Sequence, residues 1–126
     1  MKFAKVVFWI AGVWGVLVLA PLYFIFDVIG RQDPPPITHP AFYYGFVGVA
    51  LVWQFAFLVI GSDPARFRPF MVVAALEKFS YDSTLLVLFL EHRLHATDLA
   101  LGGIDSLLAI LFLVAFFKTH AAATAS

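Results

Sequence analysis

The sequence contains no cysteine, and only 13% of its 126 residues are charged. A chain without thiols cannot form disulfides, use a thiolate nucleophile or hold an iron–sulfur cluster through its own side chains. Soluble domains carry about 25% charged residues, so about half of the usual charge is missing. The formal net charge is zero, which provides no general attraction to nucleic acid, and we expect no nucleic-acid partner.

Hydrophobic residues make up 63% of the chain and are gathered into four long apolar stretches. These stretches cover about residues 3–26, 42–61, 70–90 and 99–117. An α-helix of about 20 residues rises about 30 Å, which is the thickness of the hydrocarbon core of a bilayer. The sequence therefore predicts an all-α membrane protein with a single domain, an antiparallel bundle of four transmembrane helices surrounded by the lipid bilayer.

The orientation of the bundle is predicted from the positive charges in its short loops, because lysine and arginine are enriched on the cytoplasmic side. With the amino terminus inside, the cytoplasmic side holds Lys2, Lys5, Arg66, Arg68 and Lys118, and the other side holds Arg31 and Arg93. This distribution predicts that both termini lie in the cytoplasm and that the chain is a multi-pass protein of the plasma membrane.

Prolines and one aspartate mark the expected helix ends. Pro21 should kink or end the first helix, because proline lacks the backbone donor and clashes with the preceding turn. The segment from Asp27 to Pro40 contains three consecutive prolines, which favours a stiff, extended loop. In the next loop, Asp63 is placed to cap a turn, and Pro69 is placed in the first turn of the third long helix.

The third apolar stretch is unusual because Glu77, Lys78 and Asp82 lie near its middle. A charged group at this depth costs about 2.5–3.5 kcal/mol on insertion scales, so these side chains should face the interior of the bundle. Lys78 and Asp82 are four residues apart and can form an ion pair within the helix, and the alternative is that Lys78 neutralises Glu77. The pairing of Lys78 with Asp82 leaves Glu77 without an obvious opposite charge.

Three further polar residues fall at a similar depth. Tyr81 shares a helix face with Glu77, and Gln54 lies in the middle of the second stretch. Asp105 lies in the fourth stretch near the level of Asp82, where it either accepts a hydrogen bond from Tyr81 or water, or joins Lys78 and Asp82 in one charged network. Gln54 is more typical of a hydrogen bond between helices than of a ligand contact.

Two interpretations of these residues are open. In the first, the polar groups are structural, with ion pairs and hydrogen bonds that set the register of the helices. Alternatively, they form a proton or ligand site near the middle of the membrane. The candidate site residues are Glu77, Lys78, Asp82, Asp105, Gln54 and Tyr81.

Metal and cofactor signatures are weak or missing from the sequence. Glu91, His92 and His95 would be the only plausible zinc ligands, but their spacing matches no known zinc motif. There is no phosphate-binding loop and no nucleophile elbow. We therefore predict no metal, no cofactor and no catalytic residue.

Several segments together resemble a group of small bacterial membrane proteins. These segments are His39–Phe46, Trp53-Gln54, Asp63–Pro69 and Leu76–Phe79. They resemble small uncharacterised four-helix inner-membrane proteins that are loosely DoxX-like or BphX-like. The resemblance implies a four-helix bundle in the inner membrane of a bacterium, and it implies no catalytic residues.

The leading functional hypothesis is a non-enzymatic protein whose polar core, centred on Glu77, binds a small apolar or amphipathic ligand or holds a partner subunit. The first alternative is a proton-coupled small transporter that uses Glu77 as the proton carrier and acts as a homo-oligomer, because four helices enclose little volume. The second alternative is a membrane isomerase acting on a lipid, which requires a deep apolar pocket where Glu77 meets a second acid.

Overall fold

The computed structural model describes residues 2–32, 37–93 and 96–119, and every regular element in them is helical. The helices are α1 (Lys2–Leu19), α2 (Phe26–Gln32), α3 (Pro40–Ser62), α4 (Arg68–Leu90) and α5 (Ala96–Lys118). A single 3-10 turn, Ala20–Tyr23, follows α1. The predicted all-α class is therefore confirmed over this part of the chain.

Among the described residues, three segments are long and apolar enough to cross a membrane, namely Lys2–Tyr23, Pro40–Ser62 and Asp98–Lys118. They correspond to the first, second and fourth stretches predicted from the sequence. The helix α4 has the same 23-residue length as α3, but Glu77, Lys78 and Asp82 interrupt its apolar centre. It differs from the other three in charge rather than in length.

The long helices pack as antiparallel neighbours. α1 lies along α3, α4 lies along α5, and α1 also packs against α5, whereas α3 and α4 touch over a much shorter length. The approach of α1 to α3 is close because glycines face the opposite helix. A side chain at Gly12 would collide with Leu58 and the Gln54 backbone, and one at Gly61 would press on the Trp9 backbone. Small residues at such positions let two helix backbones approach closely.

The half of the bundle that contains the start of α1 and the α3–α4 loop is densely packed. Its centre is a cluster of three fully buried phenylalanines. The rings of Phe8 and Phe112 are stacked with centroids 4.2 Å apart, and Phe57 meets Phe112 edge-on at 5.0 Å. Buried alanines fill the space around these rings: Ala4, Ala11, Ala74, Ala75 and Ala115. This end of the molecule is a dry apolar core.

Arg68 joins the start of α4 to the end of α5. Its Nε donates to the backbone carbonyls of Phe116 at 3.1 Å and Thr119 at 2.6 Å, and its guanidinium lies 3.8 Å from the centre of the Phe116 ring. The last carbonyls of a helix have no partner within the helix, and a cation there also interacts favourably with the helix dipole. Arg68 therefore completes the carboxyl end of α5.

The predicted helix ends at proline and aspartate are confirmed. α1 gives way to the 3-10 turn that contains Pro21, and Pro69 lies in the first turn of α4. Asp63 Oδ1 accepts a hydrogen bond from the backbone N–H of Arg66 at 3.4 Å. At its other end, α4 closes with two backbone hydrogen bonds around His92, whose φ of 58° is left-handed. This arrangement is a Schellman motif.

The prediction of an extended loop from Asp27 to Pro40 is wrong for its first part, which forms α2. The short helix is held by aromatic packing, because Phe26 stacks on Tyr44 at 5.5 Å and meets Tyr43 edge-on at 5.0 Å. These contacts stabilise α2, because a segment of seven residues has only a weak tendency to form a helix alone. The three consecutive prolines lie outside the described residues.

We expect Gly12→Ala to destabilise the fold and Gly45→Ala to leave it unchanged or slightly more stable. A methyl group at Gly12 would lie 2.6 Å from Leu58 Cδ2 and 2.9 Å from the Gln54 carbonyl oxygen, so backbone must move. Such overpacking costs about 1–3 kcal/mol. A Cβ added at Gly45 would meet no heavy atom of the described residues within 4 Å, apart from its chain neighbours and the backbone of its own helix. Thermal unfolding in detergent, followed by circular dichroism, measures both, and equal shifts would contradict the close approach of α1 and α3.

Candidate functional site

A cavity of about 130 Å³ lies between α1, α3, α4 and α5, in the half of the bundle nearest α2. Its apolar walls are formed by Trp14, Gly15, Val18, Leu19, Leu22, Phe46, Ala50 and Leu101. Its polar lining is formed by Gln54, Glu77, Lys78, Tyr81 and Asp105. Five of the six residues predicted as site residues therefore line one cavity.

Lys78 and Asp105 form the ion pair of this cavity. Lys78 is 5% exposed, and its Nζ donates to Asp105 Oδ1 at 3.1 Å. The same ammonium group lies 5.1 Å from the centre of the Phe57 ring, which is within cation–π distance. One lysine side chain thus connects α4 to α5 through charge and to α3 through a ring.

The predicted ion pair between Lys78 and Asp82 is wrong. Asp82 instead accepts a hydrogen bond from Ser106 Oγ at 2.8 Å, on the neighbouring helix α5. It lines a separate, shallower groove between α4 and α5, next to Gly102 and Gly103. The physical reason is that α4 and α5 lie side by side, so Lys78 and Asp82 each find a partner on α5 across the helix interface.

Glu77 turns toward the neighbouring helices and lines the cavity. Its side chain is half-buried, and its Oε2 is inaccessible to solvent with no hydrogen-bond partner among the described residues. Buried carboxylate oxygens without a donor are rare, because desolvation of an unpaired polar atom is costly. Lys78, the nearest residue of opposite charge in the sequence, bonds to Asp105 instead.

Gln54 is the most deeply buried polar residue of the cavity, at 2% exposure. Its Nε2 donates to the Ala50 carbonyl oxygen of its own helix at 2.8 Å, so the expected hydrogen bond between helices is not made. Its Oε1 has no hydrogen-bond partner among the described residues. The amide oxygen faces Gly15, where a side chain on α1 would collide with it. Gly15 therefore provides the room that Gln54 occupies.

Aromatic side chains from three helices form part of the cavity wall. Trp14 comes from α1, Phe46 from α3 and Tyr81 from α4. The Phe46 and Tyr81 rings are stacked with centroids 6.3 Å apart, and they bridge α3 and α4 where these helices otherwise have little contact. The site residues predicted from the sequence do not include Trp14, Gly15 or Phe46. Helical spacing puts Trp14, Gly15 and Val18 near one face, but it does not distinguish a cavity wall from a packed core.

The described residues hold no group of three histidine, aspartate or glutamate side chains placed to bind a metal ion. Of the weak zinc candidates, Glu91 accepts a hydrogen bond from Arg93 at 3.4 Å, and His92 is exposed in the turn after α4. His95 lies outside the described residues. The groups that the cavity offers for chemistry are its carboxylates, its ammonium group, its amide and its aromatic rings.

Comparison of the chain with protein-family models, with curated proteins and with solved structures gives no match. The resemblance to DoxX-like and BphX-like proteins stays a prediction, and the site is interpreted from its own geometry.

We expect the buried pair to show strong energetic coupling in a double-mutant cycle. Lys78→Met leaves the Asp105 charge unpaired, and Asp105→Leu leaves the Lys78 charge unpaired, so each should cost about 3–5 kcal/mol. The double variant replaces both charges by apolar groups and should recover much of that loss. Unfolding in mixed detergent micelles measures the three free energies.

The exposed pair Arg93–Glu91 is the matched control, because its side chains are 68% and 52% exposed at a similar distance of 3.4 Å. Its coupling should be below about 1 kcal/mol. Additive losses at Lys78 and Asp105 would show that the two charges do not stabilise each other.

Proposed function

We propose that the chain is a multi-pass inner-membrane protein in which α4 is a fourth transmembrane helix and both termini lie in the cytoplasm. Support comes from the surface of α4, whose exposed large residues are apolar, among them Phe70, Leu76, Leu86 and Leu90. The exposed hydroxyls of Ser83 and Thr84 donate to carbonyls four residues earlier, which satisfies them without water. Lys78 and Asp105, the charges that would be most costly in lipid, neutralise each other within the bundle.

Labelling of single cysteines tests this topology without background, because the chain has no cysteine of its own. We expect a membrane-impermeant maleimide to label Thr38→Cys and Glu91→Cys from outside the intact cell. Ser62→Cys should react only after the membrane is permeabilised. All three positions are exposed. Labelling of Ser62→Cys and Glu91→Cys from the same side would show that α4 does not cross the membrane.

We further propose that the cavity binds a small amphipathic molecule. The observation that carries this proposal is a cavity with apolar walls that is also lined by Gln54 and Glu77, each of which has one buried oxygen without a hydrogen-bond partner among the described residues. Ligand sites commonly combine apolar walls with a few polar groups that orient the ligand. A ligand with donors at one end and an apolar body at the other satisfies both parts of this lining.

The volume of the cavity supports a ligand of about the size of one benzene ring. Its 130 Å³ is close to the roughly 150 Å³ of an engineered apolar cavity that binds benzene in another protein. Typical ligand pockets begin at about 300 Å³. Glu77 and Asp105 do line the same cavity, as the isomerase alternative requires, but a sterol-sized lipid exceeds this volume and Asp105 is already paired with Lys78. The transporter alternative stays a prediction.

Fluorescence of Trp14 provides a direct test, since this residue lines the cavity. In a variant that keeps Trp14 alone (Trp9→Phe with Trp53→Phe), we expect benzyl alcohol to change the emission with a saturable dose dependence. Ala50→Phe places a ring in the cavity and should abolish the saturable change.

Val52→Phe is the matched control on the same helix, because Val52 is 64% exposed and lies outside the cavity. It should leave the titration unchanged, whereas partitioning of the alcohol into the micelle affects both variants equally. A linear response in the Trp14 protein, or an identical response in Ala50→Phe and Val52→Phe, would refute binding in the cavity.

A further inference from the structure

The ionisable groups that line the cavity are unequal in number. Glu77 and Asp105 are acids, and Lys78 is the one cation among the described lining residues. The bond of 3.1 Å between Lys78 and Asp105 uses one charge of each sign. With its side chains ionised, the cavity therefore carries one net negative charge, located at Glu77. A buried charge without a counter-ion is unfavourable, so the cavity favours a positively charged occupant.

The free hydrogen-bonding atoms have the same preference. Gln54 Oε1 and Glu77 Oε2 are both acceptors, and they come from different helices, α3 and α4. The bond from Gln54 Nε2 to the Ala50 carbonyl fixes the oxygen as the end of the amide that remains free. An ammonium group has three donors and no acceptor, a hydroxyl has one donor, and a carboxylate has none. Of these three groups, only the ammonium group has enough donors for two acceptors.

The aromatic walls also suit a cation. Trp14, Phe46 and Tyr81 line the cavity from three helices, and ring faces attract ammonium groups, most strongly when water is excluded. The bundle already holds one ammonium group in this way, because Lys78 Nζ lies 3.1 Å from Asp105 Oδ1 and 5.1 Å from the centre of the Phe57 ring. The cavity repeats this combination of carboxylate and aromatic ring.

We propose that the cavity is selective for a small organic ammonium ion, a protonated amine attached to an apolar body of about one ring. The ammonium nitrogen donates to Glu77 and Gln54, and the apolar body lies against Trp14 and Phe46. This assignment rests on the proposed ligand-binding function and names the class of ligand for the same cavity. Glu77 is the counter-ion of the bound ammonium group. Asp105 does not compete for this group, because it is already paired with Lys78.

Three probes of equal size test the selectivity in the protein with Trp14 as its only tryptophan. They are benzylamine, which is protonated at neutral pH, benzyl alcohol, which is neutral, and benzoate, which is an anion. We expect benzylamine to bind about tenfold more tightly than benzyl alcohol, from the charge-assisted bonds and the ring contacts. Benzoate should bind most weakly, because it meets Glu77 with a like charge.

Glu77→Gln should bring the affinities for benzylamine and benzyl alcohol to within about twofold of each other, while binding of benzyl alcohol persists and shows that the cavity is intact. Glu91→Gln removes an exposed carboxylate at the residue that follows the carboxyl end of α4, and it should leave the preference for the amine unchanged. The order of the three affinities is measured in the protein that keeps Glu77. It therefore tests the proposal independently of the Glu77→Gln variant.

The outcomes distinguish this inference from the proposed function. If benzyl alcohol binds but benzylamine binds no more tightly, the ammonium selectivity is overturned and the ligand site stands. A preference for benzylamine that survives in Glu77→Gln also overturns it, because Glu77 is then not the counter-ion. If none of the three probes saturates, the ligand site itself is refuted and the selectivity with it.

Discussion

The ion pair between Lys78 and Asp105 is the interaction on which the centre of the bundle depends. Lys78 is buried and Asp105 is partly buried, and desolvation of an ion is compensated only by a partner at close range with good geometry. The distance of 3.1 Å from Nζ to Oδ1 meets this requirement, and the Phe57 ring of α3 adds a second contact to the ammonium group. The pair thereby allows a helix with a charged centre to pack among three apolar ones.

The pair also lies at the boundary between two unlike halves of the molecule. On one side are the stacked rings of Phe8 and Phe112 with Phe57, surrounded by alanines. On the other side is the cavity, where α3 and α4 have little contact apart from the stacked rings of Phe46 and Tyr81. A packed half next to an open half suits the proposed binding of a ligand, because rigid elements hold the polar groups in place.

The residues of the candidate site were predictable to a large extent, and their contacts were not. Ionisable and amide side chains within apolar stretches are rare and expensive, so Glu77, Lys78, Asp105 and Gln54 are evident from the sequence alone. Their pairing depends on which residues face each other across two helices. The spacing within one helix made Asp82 the expected partner of Lys78, but the interface between α4 and α5 supplies Asp105 instead and leaves Asp82 to Ser106.

The sequence by itself determined the number and approximate positions of the long helices, the helix ends at Pro21, Asp63 and Pro69, and the presence of charge in the centre of α4. These features follow from local rules of hydropathy, proline geometry and capping, which need no knowledge of neighbours. Only the tertiary structure decided that α2 is a helix, that Gly15 makes room for Gln54, and that a cavity lies beside Glu77. Those features depend on the rotation and separation of neighbouring helices, which arise from the packing of many side chains together rather than from any one stretch of sequence.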